Sequence, residues 1–384
     1  MKQEVCLESL HPPSREMMFH SPIRSLARIG LGSSVLVACD TEKSPPVFPS
    51  IGCHQYVANK FIEDRIVVSR LELTGKRPVQ FIAVMDGHGG PQLAEYLTRK
   101  LPQLMHKKLS DNLRVAEAIK NTFISADDEW YATVKPVYDL GFTNPIKVGA
   151  CAVALAMDES EIVVGSVGDC KCVLVRLNGE TVDLNIQRNA NLVEEQDRLR
   201  RLHPGEDDVV RCKRSWQEPV EESKWTMPWS KNSSEQKTVF SGCYVKGRLQ
   251  PTKSFGDFHL KTAAVEFDHE RGRPFLDPEN KKSFPYIDAD PDVTITRRTA
   301  ADKFLIVGTD GLWDQFTSRE AAGIVEAAIS AGLTPDQAAI ELVEAALMRA
   351  ATNHKMELAA MKALPPGSSR RNLHDDISVC IVVL

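Results

Sequence analysis

Short apolar runs along the chain predict strands, and the turn residues between them predict how these strands connect. Residues 148–155 and 161–167 are two such runs, separated by Asp158-Glu159-Ser160, and this arrangement is typical of a β-hairpin. A further run at 172–177 ends at Asn178-Gly179, a pair that favours a tight turn into another strand. The run at 81–84 predicts a strand that leads into a glycine-rich turn.

Other segments have helical spacing. Residues 111–135 predict one helix, and 318–331 and 334–351 predict two more, each with a serine or threonine in a capping position. Pro91 suits the first turn of a helix that continues through Leu93, Tyr96, Leu97 and Leu101. Strands in antiparallel pairs mixed with pairs of helices predict an α+β fold.

Composition changes along the chain predict its organisation. Residues 1–54, with a break at Ser44-Pro45-Pro46, are interpreted as an N-terminal leader, and 55–384 as the main domain. Residues 204–243 are polar, charged and rich in tryptophan, which predicts a long surface insertion with some structure of its own. Residues 365–369 predict a short flexible loop before the last strand.

The charge and the cysteines exclude some classes of protein. The net charge of −5 argues against nucleic acid as the main partner and leaves protein substrates open. No apolar stretch reaches transmembrane length. The nine cysteines contain no CxxC pair, so a zinc site is not expected. Several of them lie in apolar runs, which indicates reduced core cysteines in an intracellular protein.

These features predict a cytoplasmic or nuclear protein. The alternative is the mitochondrial matrix, because residues 17–39 contain no acidic residue and include Arg24 and Arg28.

The most informative stretch is 84–90, Val-Met-Asp-Gly-His-Gly-Gly, which brings one carboxylate and one imidazole to the turn after a strand. The oxygen atoms of Asp86 are hard ligands that suit Mg²⁺ or Mn²⁺. The imidazole of His88 can exchange protons near neutral pH.

The same design is repeated along the chain. Acidic residues lie at the edges of apolar runs, often beside glycine: Glu63-Asp64, Asp169, Asp257, Asp310 and Asp375-Asp376. Burying so many uncompensated carboxylates is costly, and bound divalent cations are their natural compensation.

These motifs resemble, in order, those of the metal-dependent type 2C Ser/Thr protein phosphatases. The matches are Glu-Asp at 63–64, Asp-Gly-His-Gly-Gly at 86–90, Val-Gly-Asp at 167–169, Phe-Gly-Asp at 255–257, Asp-Gly-Leu-Trp-Asp at 310–314 and Asp-Asp-Ile-Ser at 375–378. Within the family the chain is most similar to the pyruvate dehydrogenase phosphatase branch, on the residues at 58–65, 194–210 and 375–377. The resemblance implies a four-layer αββα sandwich, in which two antiparallel sheets are flanked by helix pairs.

The resemblance also implies roles for the acidic residues in binding two Mg²⁺ or Mn²⁺ ions, with a weaker third ion possible. Asp86 would bridge both ions. Asp310 and Asp375 would complete the first site, and the Gly87 carbonyl, with Glu63 and Asp64 through water, would complete the second. Asp169 and Asp257 would hold the third ion. A bridging hydroxide would be the nucleophile and His88 the general acid, while Asp314 and Asp376 would support the structure.

The chain departs from this family where substrate phosphate is held. Many relatives place an arginine four residues before the glutamate of the Glu-Asp pair, and here that position is Asn59, followed by Lys60. A neutral amide cannot replace a guanidinium. Lys60, Arg65 or Lys253 could supply the missing cation, and we take Asn59, Lys60 and Lys253 as candidate phosphate contacts.

The sequence therefore predicts a phosphoserine and phosphothreonine protein phosphatase, acting on phosphoproteins as a monomeric catalytic domain. Two alternatives remain. One is a catalytically silent relative that binds phosphoproteins as a regulatory module, and the other is a metal phosphohydrolase for small molecules.

Overall fold

The structure, a computed structural model, describes residues 49–215, 239–280 and 282–384. Within these residues the strands are β1 (Ser50–Tyr56), β2 (Arg65–Leu71), β3 (Val79–His88), β4 (Gly149–Met157), β5 (Glu161–Val167), β6 (Lys171–Arg176), β7 (Thr181–Asp183), β8 (Val210–Ser215), β9 (Val239–Val245), β10 (Phe255–Gly256), β11 (Phe267–Asp268), β12 (Arg273–Pro274), β13 (Asp292–Arg297), β14 (Asp302–Gly308) and β15 (Ile377–Val383).

The described α-helices are α1 (Gln92–Ser110), α2 (Val115–Asp139), α3 (Asn144–Lys147), α4 (Val193–Leu202), α5 (Asp310–Trp313), α6 (Ser318–Ser330), α7 (Pro335–Asn353), α8 (Leu358–Ala363) and α9 (Ser368–Arg371). Helices α6 and α7 begin at the capping residues Thr317 and Thr334, each in a capping box with the residue three positions on. Helix α2 begins four residues later than predicted, because Asn112, with φ of 66°, lies in the turn that follows α1. None of the described helices is long and apolar enough to span a membrane.

Two antiparallel sheets carry the fold. One has the strand order β1-β15-β14-β6-β7, and the other has the order β13-β5-β4-β3-β2, with β10 added on β4. Helices α1 and α2 pack on the second sheet, and α7 packs on the first with α6 beside it. The predicted four-layer αββα sandwich is confirmed.

The sheets pack against each other through alternate residues of their strands. On β3, Phe81, Ala83 and Met85 face the helices, whereas Ile82 and Val84 face the other sheet. Both faces are covered, which explains why the strand is apolar from Phe81 to Met85. The same alternation carries Asp86 onto the face between the sheets.

The structure describes parts of three segments that the sequence pattern delimits. Strand β1 begins at Ser50, inside the segment interpreted as a leader, and pairs with β15; residues 1–48 lie outside the described residues. Strands β8 and β9 pair with each other within and beside the insertion at 204–243, whose tryptophans lie outside the described residues. The loop predicted at 365–369 is partly helical, because α9 begins at Ser368.

The prediction of reduced cysteines is wrong for four of them. Disulfides join Cys53 to Cys380 and Cys212 to Cys243, each across a pair of antiparallel strands. Antiparallel pairing brings directly opposite side chains close together, and positions 327 residues apart along the sequence give no sign of it. Free thiols remain at the buried Cys151, Cys170 and Cys172, while Cys6 and Cys39 lie outside the described residues.

Candidate active site

The acidic residues meet at one end of the sandwich because their strands run in alternating directions. Strands β3, β5 and β14 end there, and carry or are followed by Asp86, Asp169 and Asp310. Strands β2 and β15 begin there, directly after Asp64 and Asp376. Residues from distant parts of the sequence are thus placed at one edge.

Asp86, Asp169 and Asp310, which we call the acid group, have carboxylate oxygens within 4.8 Å of one another. Asn189 holds Asp169 by donating from Nδ2 to Oδ2 at 2.7 Å. One oxygen each of Asp169 and Asp310, Oδ1 in both, is buried without a hydrogen-bond partner. Such orphaned acceptors are costly unless a ligand satisfies them.

Proton binding in this region reflects burial and mutual repulsion. Burial raises the pKa of Asp86 and Asp310 well above the ordinary value, and neighbouring carboxylates raise both further. Burial and Asp376 raise the pKa of Asp64 to about 8. Burial raises the pKa of Asp375 to about 6, with Arg371 opposing the shift. A bound cation would remove this penalty.

Strand register places the Glu-Asp pair beside Asp86. Arg65 pairs with Met85 across β2 and β3, so Asp64 and Glu63 lie opposite Asp86 and Gly87. A side chain at Gly87 would have its Cβ only 2.6 Å from the Glu63 carbonyl oxygen, which explains the glycine. Thr309, before Asp310, donates from its hydroxyl to Asp64 Oδ2 at 2.9 Å.

Asp375 and Asp376 have different tasks. Asp375 Oδ2 lies 2.5 Å from Arg371 Nη2, a contact made across the end of α9. Asp376 accepts hydrogen bonds from the backbone N–H groups of Ala58, Asn59 and Glu63 and from the Asn59 side chain. Asp376 therefore holds the loop that leads to the Glu-Asp pair, in agreement with the supporting role predicted for it.

His88 and Asp257 form a second unit, which we call the general-acid pair after the role predicted for His88. His88 Nε2 lies 2.7 Å from Asp257 Oδ2, which also accepts from the Ser254 hydroxyl at 2.8 Å. Burial lowers the pKa of His88, but the negative charge of Asp257 and its hydrogen bond raise it by more, so that the pKa of His88 is raised overall. Burial raises the pKa of Asp257, but the charge of His88 and its hydrogen bond lower it by more, so that the pKa of Asp257 is lowered overall. Each group thus stabilises the charged form of the other.

Gly149 makes this hydrogen bond possible. It pairs with His88 across β3 and β4, and a Cβ there would lie 2.0 Å from Asp257 Oδ2 and 2.2 Å from His88 Nε2. Asp257 itself has φ of 51°, a left-handed conformation that turns its carboxylate after β10.

Not every predicted site residue joins the acid group. The carboxylate of Asp257, expected beside Asp169 at a third ion, contacts His88 instead. Lys253 is a poor candidate for a phosphate contact, because its ammonium donates to Asp288 Oδ1 at 2.9 Å and to the Asp290 carbonyl at 2.6 Å. Arg65 is likewise engaged, at 2.6 Å from Glu95.

The two remaining candidates lie in the loop before the Glu-Asp pair. Asn59 uses its amide to donate to Asp376 at 3.1 Å. Lys60 is exposed, with its ammonium 5.5 Å from the centre of the Phe61 ring. Both remain predictions as phosphate contacts.

Sequence reasoning missed three residues of this region: Asn189, Gly149 and Arg371. Gly149 had a signal, since a glycine within an apolar strand often marks a close approach. Arg371 lies four residues before Asp375, but it becomes a partner only because α9 forms. Nothing in the sequence pattern links Asn189 to Asp169.

The residues present fit hard divalent cations. The acid group offers oxygen ligands only, two of its oxygens lack partners, and Asp64 and Asp375 add negative charge nearby. Mg²⁺ and Mn²⁺ prefer such ligands.

Comparisons with known proteins agree with this geometry. The model of the family described as protein phosphatase 2C matches residues 52–355. The match ends before Asp375, whose place in the site rests on the structure. Probable protein phosphatase 2C 67 of Arabidopsis thaliana is 31% identical over 338 residues, covering 85% of this chain and 81% of that protein. Probable protein phosphatase 2C 78 of Oryza sativa subsp. japonica is 29% identical over 311 residues, covering 79% and 70%.

A solved structure shares the fold. The serine-threonine phosphatase 2C from Toxoplasma gondii superposes with a TM-score of 0.56 at 17% identity, covering 88% of this chain and 96% of that one. At this identity the likeness supports the fold alone.

Proposed function

The chain belongs to the protein phosphatase 2C family of metal-dependent Ser/Thr phosphatases, and we propose that it hydrolyses phosphoserine and phosphothreonine with two divalent ions at its acid group and His88 as the general acid. The acid group carries this proposal, because its mutually repelling carboxylates share one end of the sandwich with an imidazole whose pKa is raised. Ions at the acid group would compensate the negative charge of the phosphate, and His88 would supply the proton that phosphate ester hydrolysis needs.

In this proposal the two ions would be held by Asp86, Asp310, Asp375, Glu63, Asp64 and Gly87. Asp169 contributes to this set or to a weaker third ion. When bound, the ions neutralise charge on the phosphoryl oxygens and lower the pKa of a bound water.

The chain's own residues handle the proton of the leaving group. His88 donates it to the departing seryl or threonyl oxygen, and Asp257 keeps the imidazole charged and oriented until that step. Because Ser254 donates to the same carboxylate oxygen, the orientation of Asp257 is fixed from the other side.

An assay of metal dependence tests the function. The protein is dialysed against EDTA and assayed with Mn²⁺ or Mg²⁺ on a phosphoserine peptide and on p-nitrophenyl phosphate. We expect activity on both only with added metal, and a loss of several orders of magnitude in Asp86→Asn. Full activity in EDTA would refute the two-ion proposal. Activity on p-nitrophenyl phosphate alone would favour a small-molecule phosphohydrolase, and no activity on either would favour a silent binding module.

Finer assignments remain proposals. The similarity to the pyruvate dehydrogenase phosphatase branch rests on short motifs, whereas the relatives described above are plant type 2C proteins. A monomeric state and a cytoplasmic or nuclear location, with the mitochondrial matrix as the alternative, also remain predictions.

A further inference from the structure

A cleft of about 240 Å³ opens beside the general-acid pair. His88 and Asp257 line one part of it, and the rest includes four basic side chains, Lys147, Arg248, Arg271 and Arg273. The residues of the acid group are not among those that line it. We call it the basic cleft.

The positive charge of the basic cleft is only partly compensated. Its lining contains two carboxylates, and one of them, Asp257, is bonded to His88. The other, Asp268, lies 3.6 Å from Lys147 and 3.7 Å from Arg271.

The remaining two arginines have no acidic partner among the described residues. Neither Arg248 nor Arg273 contacts a carboxylate in that part of the chain, and Arg248 Nη2 donates to the Phe275 carbonyl oxygen. Both side chains reach the surface. Partial burial of the Arg248 guanidinium, and then the nearby Arg273 and Arg271, hold the pKa of Arg248 below its ordinary value. Like charges gathered in this way are stabilised by an anion.

The surface next to this cleft carries charges of both signs. A neighbouring cleft of about 530 Å³ shares Arg248 and Arg273 and adds Arg211, which lies 3.0 Å from Asp208, and Asp277. Selectivity for an anionic ligand therefore depends on the basic cleft itself.

The position beside His88 identifies which part of a substrate would lie here. A general acid must reach the leaving oxygen, which in a phosphoprotein is the seryl or threonyl side-chain oxygen. The peptide chain is attached to that oxygen and must leave the site past His88. An extended peptide advances about 3.3–3.6 Å per residue, so side chains two or three positions from the phosphorylated residue lie about 7–11 Å away along the chain.

We propose that the basic cleft is a substrate subsite that selects phosphopeptides with anionic side chains close to the phosphorylated residue. This inference rests on the proposed phosphatase function and specifies its substrate class. Arginine suits the task because its planar guanidinium can hold a carboxylate or a phosphate through two parallel hydrogen bonds. Exposed charges of this kind act mainly on selectivity and on the rate of encounter, and their effect falls with salt.

The test compares three phosphoserine peptides that differ only at the second and third positions after the phosphoserine, where they carry glutamate, alanine or lysine. We expect kcat/KM to be about tenfold higher for the glutamate peptide than for the alanine peptide at low salt, with the preference shrinking at 0.5 M NaCl. Arg273→Glu should remove the preference and improve hydrolysis of the lysine peptide. The readout is a ratio between peptides on one enzyme, so differences in folding or metal content cancel.

The matched control is Arg297→Glu. Arg297 is also exposed, has no carboxylate partner in the described ranges, and lies at the end of β13 opposite Glu161, whereas the acid group lies at the other end of β5. Its charge reversal should leave the glutamate preference intact. The proposal would be overturned if the unchanged protein hydrolysed the glutamate and alanine peptides with the same kcat/KM. It would also be overturned if Arg273→Glu and Arg297→Glu changed the glutamate preference equally.

Binding measurements separate this proposal from the proposed function. Fluorescence anisotropy of the labelled peptides gives Kd without turnover. If no phosphorylated compound is hydrolysed but the glutamate peptide binds more tightly and Arg273→Glu abolishes the difference, the phosphatase function fails and the subsite stands. If the peptides are hydrolysed with no glutamate preference in kcat/KM or Kd, the subsite fails and the function stands.

Discussion

Replacing Gly149 with alanine should disable the general-acid pair while leaving the acid group in place. The added Cβ would lie 2.0 Å from Asp257 Oδ2 and 2.2 Å from His88 Nε2. Comfortable contacts to carbon need about 3.5 Å, so each atom must retreat by more than 1 Å. The 2.7 Å hydrogen bond between His88 and Asp257 cannot survive in its present position.

The expected loss follows from what this hydrogen bond does. A positioned general acid contributes roughly 10²–10⁴-fold to rate, and a misplacement of about 1 Å can cost about 10²-fold. We therefore expect kcat on a phosphoserine peptide to fall by about 10²–10⁴-fold in Gly149→Ala. The loss on p-nitrophenyl phosphate should be smaller, because its phenolate leaves without a proton.

The assay needs controls for folding and for mechanism. Gly323→Ala, in α6 where a Cβ meets nothing within 4 Å, should keep full activity. Mn²⁺ affinity of Gly149→Ala, measured by calorimetry, should stay close to that of the unchanged protein. Adding Gly149→Ala to His88→Ala should cost little more than His88→Ala alone, since both act on one unit. A folded Gly149→Ala protein that keeps kcat on the peptide within threefold would refute the reasoning, as would additive losses in the double variant.

Three further predictions concern the general acid His88, the phosphate contact at Asn59, and the carboxylates of Asp64 and Asp375. His88→Ala should lower kcat on a phosphoserine peptide by about 10²–10⁴-fold and that on p-nitrophenyl phosphate much less; equal losses would argue against a general acid. Asn59→Arg should lower KM for phosphopeptides by about tenfold or more with kcat unchanged, since a charge-assisted contact contributes about 1.5–3 kcal/mol, whereas an unaltered KM would place the phosphate elsewhere. The metal-free protein should lose stability as pH rises, because Asp64 and Asp375, with pKa values of about 8 and about 6 against an ordinary 3.8, keep protons in the folded state that the unfolded chain releases. Thermal melts in EDTA should therefore give a Tm that falls between pH 5 and pH 9, less so in Asp64→Asn and less with Mn²⁺; a flat profile would contradict the burial argument.

The layers of the fold follow closely from the sequence because local rules and burial agree there. The hairpin of β4 and β5 lies where its two apolar runs and its turn predict it. Helices α6 and α7 begin at Thr317 and Thr334, next to the predicted starts, because a threonine hydroxyl satisfies backbone N–H groups that the first turn leaves free. Where no side-chain cap marks a helix start, the predicted boundary is less accurate, as at α2, which begins at Val115 rather than at residue 111.

The individual acids of the site could be predicted, but their partners could not. Asp86, Asp169 and Asp310 are visible as acids at the ends of apolar runs, and the structure brings their oxygens together. Asp257 is visible in the same way, yet its carboxylate contacts His88. The difference arises from the left-handed backbone at Asp257 and from the short pairing of β10 with β4, which no sequence spacing reveals.

The sequence alone determined the classes of element, the chemistry of the acidic motifs and the family they resemble, because residue type and spacing act locally. The tertiary structure alone decided which distant residues share a site: the pairing of His88 with Asp257 over Gly149, the contact of Arg371 with Asp375, the basic cleft beside His88 and the disulfide between Cys53 and Cys380. These depend on strand order and register, and strand order is set by packing two sheets over a common core rather than by any neighbouring residues.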